Sequence, residues 1–277
     1  MMKTTLRTVP ASVLVADRRS KDPLRFPILA ARPSGPAERV AHSLGRLHPA
    51  IVFALVMLAG LAAIAILSIG LGFLVTRVVE PAWGIGAADE RVNAWLALHR
   101  TSSRTHDSLL GSIIAGGVVL PIVAGSLAVV FAMLRRWRTA AFFAFGLAVE
   151  SATYRATTLA VHSHRPHVAR LEHLPVNASY PSGHTAAAIA VYGGIVLLLT
   201  SRITSTVFRS FAWLLAFSIV AFVALARMYR GMHHPLDVAG GVFVGVAALI
   251  VIVFACRVAG AAAELRADGH ATPGSRS

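Results

Sequence analysis

Two long stretches of this chain contain no charged side chain. No Asp, Glu, Lys or Arg occurs between Pro49 and Thr76 or between Val238 and Cys256. About 20 consecutive apolar residues suffice for a helix to cross the hydrocarbon core of a bilayer. Because that core offers no water to satisfy backbone polar groups, these stretches predict transmembrane α-helices.

Shorter apolar stretches raise the predicted number of transmembrane helices to six. Of the 277 residues, 56% are hydrophobic and 14% charged, and the mean hydropathy of +0.68 is well above that of a soluble domain. The third of these stretches, approximately residues 139–161, contains Glu150 and Arg155, which we expect to face the interior of the bundle. We predict an all-α, polytopic membrane protein with spans at approximately residues 49–75, 109–134, 139–161, 184–200, 208–227 and 236–257.

The predicted bundle leaves a segment at each end of the chain. Residues 1–48 are rich in Arg, Pro, Ser and Ala and lack apolar periodicity, which predicts a disordered basic tail. An arm that binds a lipid surface or a partner is the alternative for this tail. We predict one transmembrane domain over residues 49–258 and a C-terminal tail over residues 259–277.

The basic residues predict the orientation of the bundle. The chain has 26 Lys and Arg against 12 Asp and Glu. The basic residues cluster in the N-terminal tail and in turns at residues 135–138 and 202–209. The positive-inside rule places these turns and both termini in the cytoplasm of a plasma-membrane protein. Attraction to anionic lipid explains the net charge of +14, so we expect no nucleic-acid partner. The predicted outer segments are approximately residues 77–107, 162–183 and 228–235.

The first cluster that can carry chemistry follows the third predicted span. Pro166 ends that helix and restricts Arg165 to an extended conformation. A guanidinium group is always charged and presents a planar fork of donors to phosphate oxygens. The alternative is an arginine that merely extends its charge to the membrane edge.

The second cluster is Pro181-Ser182-Gly183-His184, directly before an apolar stretch. Ser182 is a predicted helix N-cap, and the unpaired N–H groups of a helix start form an anion site. Gly183 lets a phosphate approach the backbone, and His184 can donate a proton to a leaving oxygen. The alternative is a capped helix with an interfacial histidine.

The third cluster runs from Arg227 to Asp237. Pro235 suits the first turn of the last span, and His233 lies four residues before Asp237. At this spacing on a helix the carboxylate can fix the tautomer of the imidazole and leave its other nitrogen as nucleophile or base. The alternative is a charge-neutralising pair at a helix start.

A metal site is the competing use of the histidines. The spacings give no helical ligand pair in the first group and no accompanying pair of carboxylates, and Cys256 is the only cysteine. We therefore expect neither a metal nor another cofactor. The histidines concerned are His162, His164, His167, His173, His233 and His234.

In order and spacing these clusters resemble the type 2 phosphatidic acid phosphatase (PAP2) superfamily, membrane lipid phosphate phosphatases that share a helical core with vanadium haloperoxidases. The family pattern is Lys, six residues, Arg-Pro; then Pro-Ser-Gly-His; then Ser-Arg, five residues, His, three residues, Asp. The resemblance covers approximately residues 109–257. It implies a PAP2/haloperoxidase-like core and a metal-independent phosphatase.

The resemblance also implies a role for each matching residue. Arg165 and Arg227 resemble the clamp on the phosphate oxygens, with hydrogen bonds from Ser182 and the backbone of Gly183. By the same likeness, the general acid is His184, the nucleophile that forms a phosphohistidine is His233, and the carboxylate that orients it is Asp237.

The chain departs from this pattern at two positions. Thr158 stands at the position of the family's lysine, and Ala226 replaces the serine before Arg227. Arg155, about one helical turn before Thr158, can supply a substitute cation, and the hydroxyl of Thr158 can itself donate to phosphate.

We therefore predict an enzyme that hydrolyses a lipid-linked phosphate or diphosphate at the outer membrane face. Polyprenyl diphosphates, phosphatidic acid and phosphatidylglycerol phosphate all fit this chemistry, and the sequence does not choose among them. The alternatives are a non-catalytic protein that binds or translocates a lipid phosphate, and a phosphotransferase that uses another acceptor than water. The sequence makes no prediction of the oligomeric state.

Overall fold

The regular structure is helical throughout the residues that the computed structural model describes, 25–82, 84–173 and 175–270. Within these ranges, Ser163 and Ala178 form an isolated β-bridge outside any named strand. The predicted all-α fold class is confirmed. The helices are α1 (Pro36–Ser43), α2 (Pro49–Val79), α3 (Ile85–Leu98), α4 (Ser102–Ile114), α5 (Val119–Met133), α6 (Trp137–Ala160), α7 (Gly183–Thr200), α8 (Thr206–Tyr229) and α9 (Pro235–His270), with short turns at Pro27–Leu29 and Glu80–Ala82.

Five stretches of the described chain are long and apolar enough to cross a membrane, so the chain is a multi-pass membrane protein. Helix α6 is also long, at 24 residues, but it buries Glu150 and Thr157 in its polar interior face and is less apolar than the others. The predicted count of six is therefore approximate. The five stretches are Pro49–Val79, Ser102–Met133, Gly183–Thr200, Thr206–Tyr229 and Pro235–Ala267.

The segments before and after the predicted transmembrane domain differ in structure from the predicted tails. Residues 1–24 lie outside the described residues, but residues 25–48 are packed rather than disordered: Leu29 and Ala41 are buried, and Arg257 Nε donates to the carbonyl of Ile28 at 2.7 Å. The eight-residue helix α1 buries Ala37 and Ala41, two small residues four positions apart, and so short a pattern is a weak signal in the sequence. Helix α9 likewise continues to His270 through an alanine-rich stretch that favours helix.

Helix α9 lies directly against the backbone of α7, which brings two of the chemistry-bearing clusters together. A Cβ atom placed on Gly245 would lie 2.7 Å from the carbonyl oxygen of Ala186, so only glycine permits this approach. Closer to the helix starts, the N–H of Ser182 donates to the carbonyl of Asp237 at 2.8 Å.

The connections divide between two ends of the bundle. At one end, here called the site end, residues 84–101, 161–173, 175–182 and 230–234 meet: Asn93 Nδ2 donates to the carbonyl of His233 at 3.0 Å. At the other end Arg138 Nη2 donates to the carbonyl of Gly260 at 3.0 Å. The predicted chemical clusters thus share one end, and basic turns occupy the other.

Candidate active site

Arg227 lies at the centre of the site end and is fully buried near the end of α8. Its Nη1 donates to Ser112 Oγ at 2.8 Å and to Glu172 Oε2 at 2.7 Å. Its Nε and Nη2 are buried and make no hydrogen bond within the described part of the chain. The N–H bonds on these two nitrogens are parallel, so Arg227 presents a bidentate donor edge that is free to bind an oxyanion.

Arg165 is also buried, but its guanidinium group is used differently. Nε donates to the carbonyl of Pro175 at 2.7 Å, Nη2 to that of Ala178 at 2.8 Å, and Nη1 to that of Met232. Burial lowers the pKa of Arg165, and the neighbouring cation Arg227 lowers it further. The two guanidinium groups therefore face one region, where Arg165 also joins the loop before α7 to the loop before α9.

The start of α7 lies beside these arginines. Ser182 is the N-cap residue, as predicted, but its side chain makes no capping hydrogen bond and instead lies 3.0 Å from Thr185 Oγ1. The helix start therefore keeps donor groups free. A Cβ atom on Gly183 would lie 3.0 Å from the ring of Tyr154, so a side chain there would displace that ring.

His233 is oriented by a group that the sequence did not predict. Its Nδ1 lies 2.8 Å from the carbonyl oxygen of Ser179 and 3.9 Å from Asp237 Oδ2. A carbonyl oxygen only accepts, so Nδ1 carries the proton and Nε2 keeps its lone pair. The predicted direct hydrogen bond from His233 to Asp237 is thus replaced by one to the backbone of Ser179.

Asp237 pairs with the neighbouring histidine because of the way α9 begins. Its carboxylate accepts from the N–H of His234 at 2.7 Å and from Ser179 Oγ at 2.5 Å. His234 precedes Pro235 at the helix start, and an acidic residue three positions later reaches back to that N–H as in a capping box. The carboxylate is thereby held on the His234 side, 3.3 Å from His234 Nδ1.

The two adjacent histidines consequently have opposite charge states. Burial lowers the pKa of His233 well below its usual value, and the cations Arg227 and Arg165 lower it further, so this imidazole is neutral at pH 7. Burial also lowers the pKa of His234, but Asp237 and Glu90 outweigh it and raise that pKa to about 9. Of the two imidazoles, His233 is therefore the one whose Nε2 keeps a lone pair.

His184 lines a cavity of about 160 Å³ next to the helix start. The cavity lies between α6, the α4–α5 junction and α7, and Tyr154 and Glu150 also line it. His184 and His233 are close enough to interact electrostatically, so the two imidazoles share one environment. The structure thus brings His184, His233, Arg165 and Arg227 to one region.

The two substitute residues on α6 are placed less centrally. Arg155 is exposed, and the hydroxyl of Thr158 donates to the carbonyl of Arg155 at 3.1 Å. Within the described ranges no hydrogen bond joins either of them to the other predicted site residues. Their contribution to phosphate binding stays a prediction.

Glu172 is the most important residue that sequence reasoning missed. Its carboxylate bridges Arg227 and Arg230, with Oε1 2.5 Å from Arg230 Nε. Burial raises the pKa of Glu172, but the two arginines outweigh it and hold the pKa at about 2. A single acidic residue in an irregular loop belongs to no periodic pattern, so nothing in the sequence indicated that Glu172 would bind these arginines.

No group of three or more His, Cys, Asp or Glu side chains in the described ranges is arranged to hold a metal ion. Glu90 comes nearest to such a cluster, since it lies 3.0 Å from His234 Nε2 and 2.7 Å from His167 Nδ1. These contacts tie α3 to the site end.

Comparison with known proteins gives three matches. The family model of the PAP2 superfamily matches residues 139–258. A protein of Sulfolobus acidocaldarius named undecaprenyl-diphosphatase is 40% identical over 75 residues, which are 27% of this chain and 32% of that protein, so the match spans about a third of the relative. A transmembrane PAP2 type phosphatidylglycerolphosphate phosphatase from Bacillus subtilis has a similar fold, with a TM-score of 0.55 and 19% identity over 76% of this chain and 98% of that one.

Proposed function

We propose that this protein hydrolyses a phosphate or diphosphate group attached to a lipid, because residues 139–258 match the family model of the PAP2 superfamily. The observation that carries the proposal is the bidentate edge of Arg227, whose Nε and Nη2 are buried without a protein partner. Leaving such donors unsatisfied costs free energy, so a native site of this kind is built for an anion that binds there.

The proposed reaction has two steps. Nε2 of His233 attacks phosphorus and the bond from phosphorus to the lipid oxygen breaks. His184, which carries a proton once the bound phosphate anion offsets the charge of the two arginines, gives that proton to the lipid oxygen. Water then attacks the phosphohistidine, His184 takes up a proton from the water, and inorganic phosphate leaves with Nε2 regaining its lone pair. Arg165, Arg227 and the helix start stabilise the negative charge on the phosphoryl oxygens in both steps.

The substrate class follows from the place of the site in the bundle. The site lies where the helices end, so a phosphate headgroup can reach it while the apolar tail stays among lipid chains. The relatives' names are undecaprenyl-diphosphatase and phosphatidylglycerolphosphate phosphatase, and the substrates in both names fit this arrangement.

The activity is tested by phosphate release from the purified full chain in detergent. We expect release from lipid phosphates in the presence of a chelator, and a loss of about 10³-fold or more in His233→Ala. His173→Ala removes an exposed histidine of the loop between α6 and α7 and is the control, with activity close to the unsubstituted protein. Lipid-phosphate binding without release by the unsubstituted protein would favour the non-catalytic alternative.

We also propose that the site end faces outward from a plasma membrane with both termini in the cytoplasm. Basic residues at the opposite end support this, including Arg138 and Arg202, whose Nη1 donates to the carbonyl of Arg25. Cys256 is the only cysteine, so its replacement by alanine allows single-cysteine variants. A membrane-impermeant maleimide should label His173→Cys in intact cells and spare Ser205→Cys; the reverse pattern would overturn the orientation.

A further inference from the structure

Tyr154 occupies a position at the site end that no motif of the sequence marks. It precedes Thr158 by one helical turn on α6, and its ring lies against the start of α7. A Cβ atom on Gly183 would lie 3.0 Å from Cε2 of the ring and 3.3 Å from Cζ, the carbon that bears the hydroxyl. The phenol therefore lies over the same helix start that offers N–H groups to an anion.

Tyr154 lines the same cavity as Gly183 and His184. The phenol also lies close enough to the guanidinium groups of Arg165 and Arg227 for an electrostatic interaction with both. It makes no hydrogen bond within the described part of the chain, and the residue is half-buried. A phenolic O–H in this place is an unused donor.

We propose that the hydroxyl of Tyr154 donates a hydrogen bond to a non-bridging phosphoryl oxygen of the substrate, in place of the ammonium group that the family pattern has at position 158. The inference rests on the proposed function. It accounts for the departure at Thr158, whose hydroxyl is bonded to the carbonyl of Arg155 on its own helix. With Tyr154 in this role, phosphate binding needs no contact from Arg155.

A neutral donor in place of a cation changes how the site selects its ligand. The two guanidinium groups remain, and Glu172 already offsets part of their charge through Arg227. The affinity for phosphate should therefore depend on salt less steeply than in a site with a third cation, because fewer charge pairs are screened. The hydroxyl contributes through direction rather than through net charge.

The test measures competitive inhibition by inorganic phosphate and by orthovanadate on the full chain in detergent. Tyr154→Phe keeps the ring against Gly183 and removes only the donor, so we expect the inhibition constants to rise about tenfold with an unchanged melting temperature. Tyr154→Lys should restore inhibition with a steeper salt dependence. Tyr192→Phe removes a hydroxyl that donates to the carbonyl of Ile114 at 2.7 Å, from a position about two helical turns beyond His184 on α7, and should change neither constant.

Each outcome decides the matter. An unsubstituted protein that neither releases nor binds phosphate would refute the proposed function itself. If it is active and Tyr154→Phe retains its inhibition constants within twofold, the role of Tyr154 is overturned. A Tyr154→Phe variant that loses affinity and melting temperature together has lost a structural contact, and this result overturns the proposal as well.

Discussion

The two buried arginines of the site end lie in different regions and are used in different ways. In the loop between α6 and α7, each nitrogen of Arg165 donates to a backbone carbonyl. At the end of α8, Arg227 is held on one side by Ser112 and Glu172, while Nε and Nη2 have no partner in the described chain. The difference separates an arginine that fixes the shape of the site from one that is left open to bind.

The comparison assigns distinct costs to the two side chains. Breaking the carbonyl bonds of Arg165 should loosen two loops, including the one that carries His233, and should lower stability first. Changing Arg227 removes the donor edge itself and should lower transition-state stabilisation first. The following predictions test this separation, beginning with the largest effect.

Arg227→Lys should lower kcat/KM for a lipid phosphate by about 10³-fold. An ammonium group cannot reproduce two parallel N–H donors, although it keeps the charge next to Glu172. The measurement is phosphate release in detergent over a range of substrate concentrations. Arg230→Lys changes the other arginine that Glu172 binds and is the control, with a loss below tenfold. Equal losses in both variants would break the comparison.

Arg165→Lys should lower the melting temperature on the order of 5–10 °C, since at least two of three charged hydrogen bonds to carbonyls are lost. Its activity should fall less than that of Arg227→Lys when both are measured well below their melting temperatures. Thermal unfolding in one detergent, followed by tryptophan fluorescence, gives the first quantity. An unchanged melting temperature with activity abolished would show that Arg165 also binds directly.

The sequence was sufficient to place the clusters at one end of a helical bundle. Apolar stretches predicted the helices, and counting helix ends put Arg165, Ser182 and His233 on one face. This prediction succeeds because each transmembrane helix carries the chain from one membrane face to the other. Successive loops therefore alternate between the two faces, and the order of the helices determines which loops share a face. The same reasoning did not need any side-chain geometry.

The finer contacts could not be predicted because they depend on choices between near neighbours. His233 and His234 are adjacent, and spacing alone favoured His233 as the partner of Asp237. The capping geometry before Pro235 instead brings the carboxylate to His234. Glu172 lies in an irregular loop, and only the folded loop shows that it reaches Arg227.

Ser112→Ala should lower kcat/KM about five- to tenfold with little effect on stability. The hydroxyl accepts from Nη1 of Arg227 at 2.8 Å, and its loss lets the donor edge rotate away from the best geometry. Ser108→Ala is matched to it, one turn earlier on α4, where Ser108 accepts from Arg230 at 3.1 Å. If Ser108→Ala lowers activity as much as Ser112→Ala, the effect of Ser112→Ala does not come from the orientation of Arg227.

The smallest effect extends the comparison from the arginines to the adjacent histidines. His234, held between Asp237 and Glu90, has its pKa raised from 6.5 to about 9. A folded-state pKa above the unfolded value stabilises the protein fully below pH 6.5, and this contribution is lost as the pH rises through about 9. His234→Gln should therefore melt below the unsubstituted protein at about pH 6, with the difference shrinking toward about pH 10.

The pH series distinguishes this charge effect from a loss of packing. Glutamine keeps hydrogen-bonding groups near Asp237 and Glu90 but cannot carry a proton charge, so its melting curve lacks the contribution that titrates. His167→Gln is the control, because His167 also contacts Glu90 but is 81% exposed, where ion pairs contribute little. A difference in melting temperature between His234→Gln and the unsubstituted protein that stays constant across this pH range would mean that His234 stabilises the junction through packing rather than through its charge.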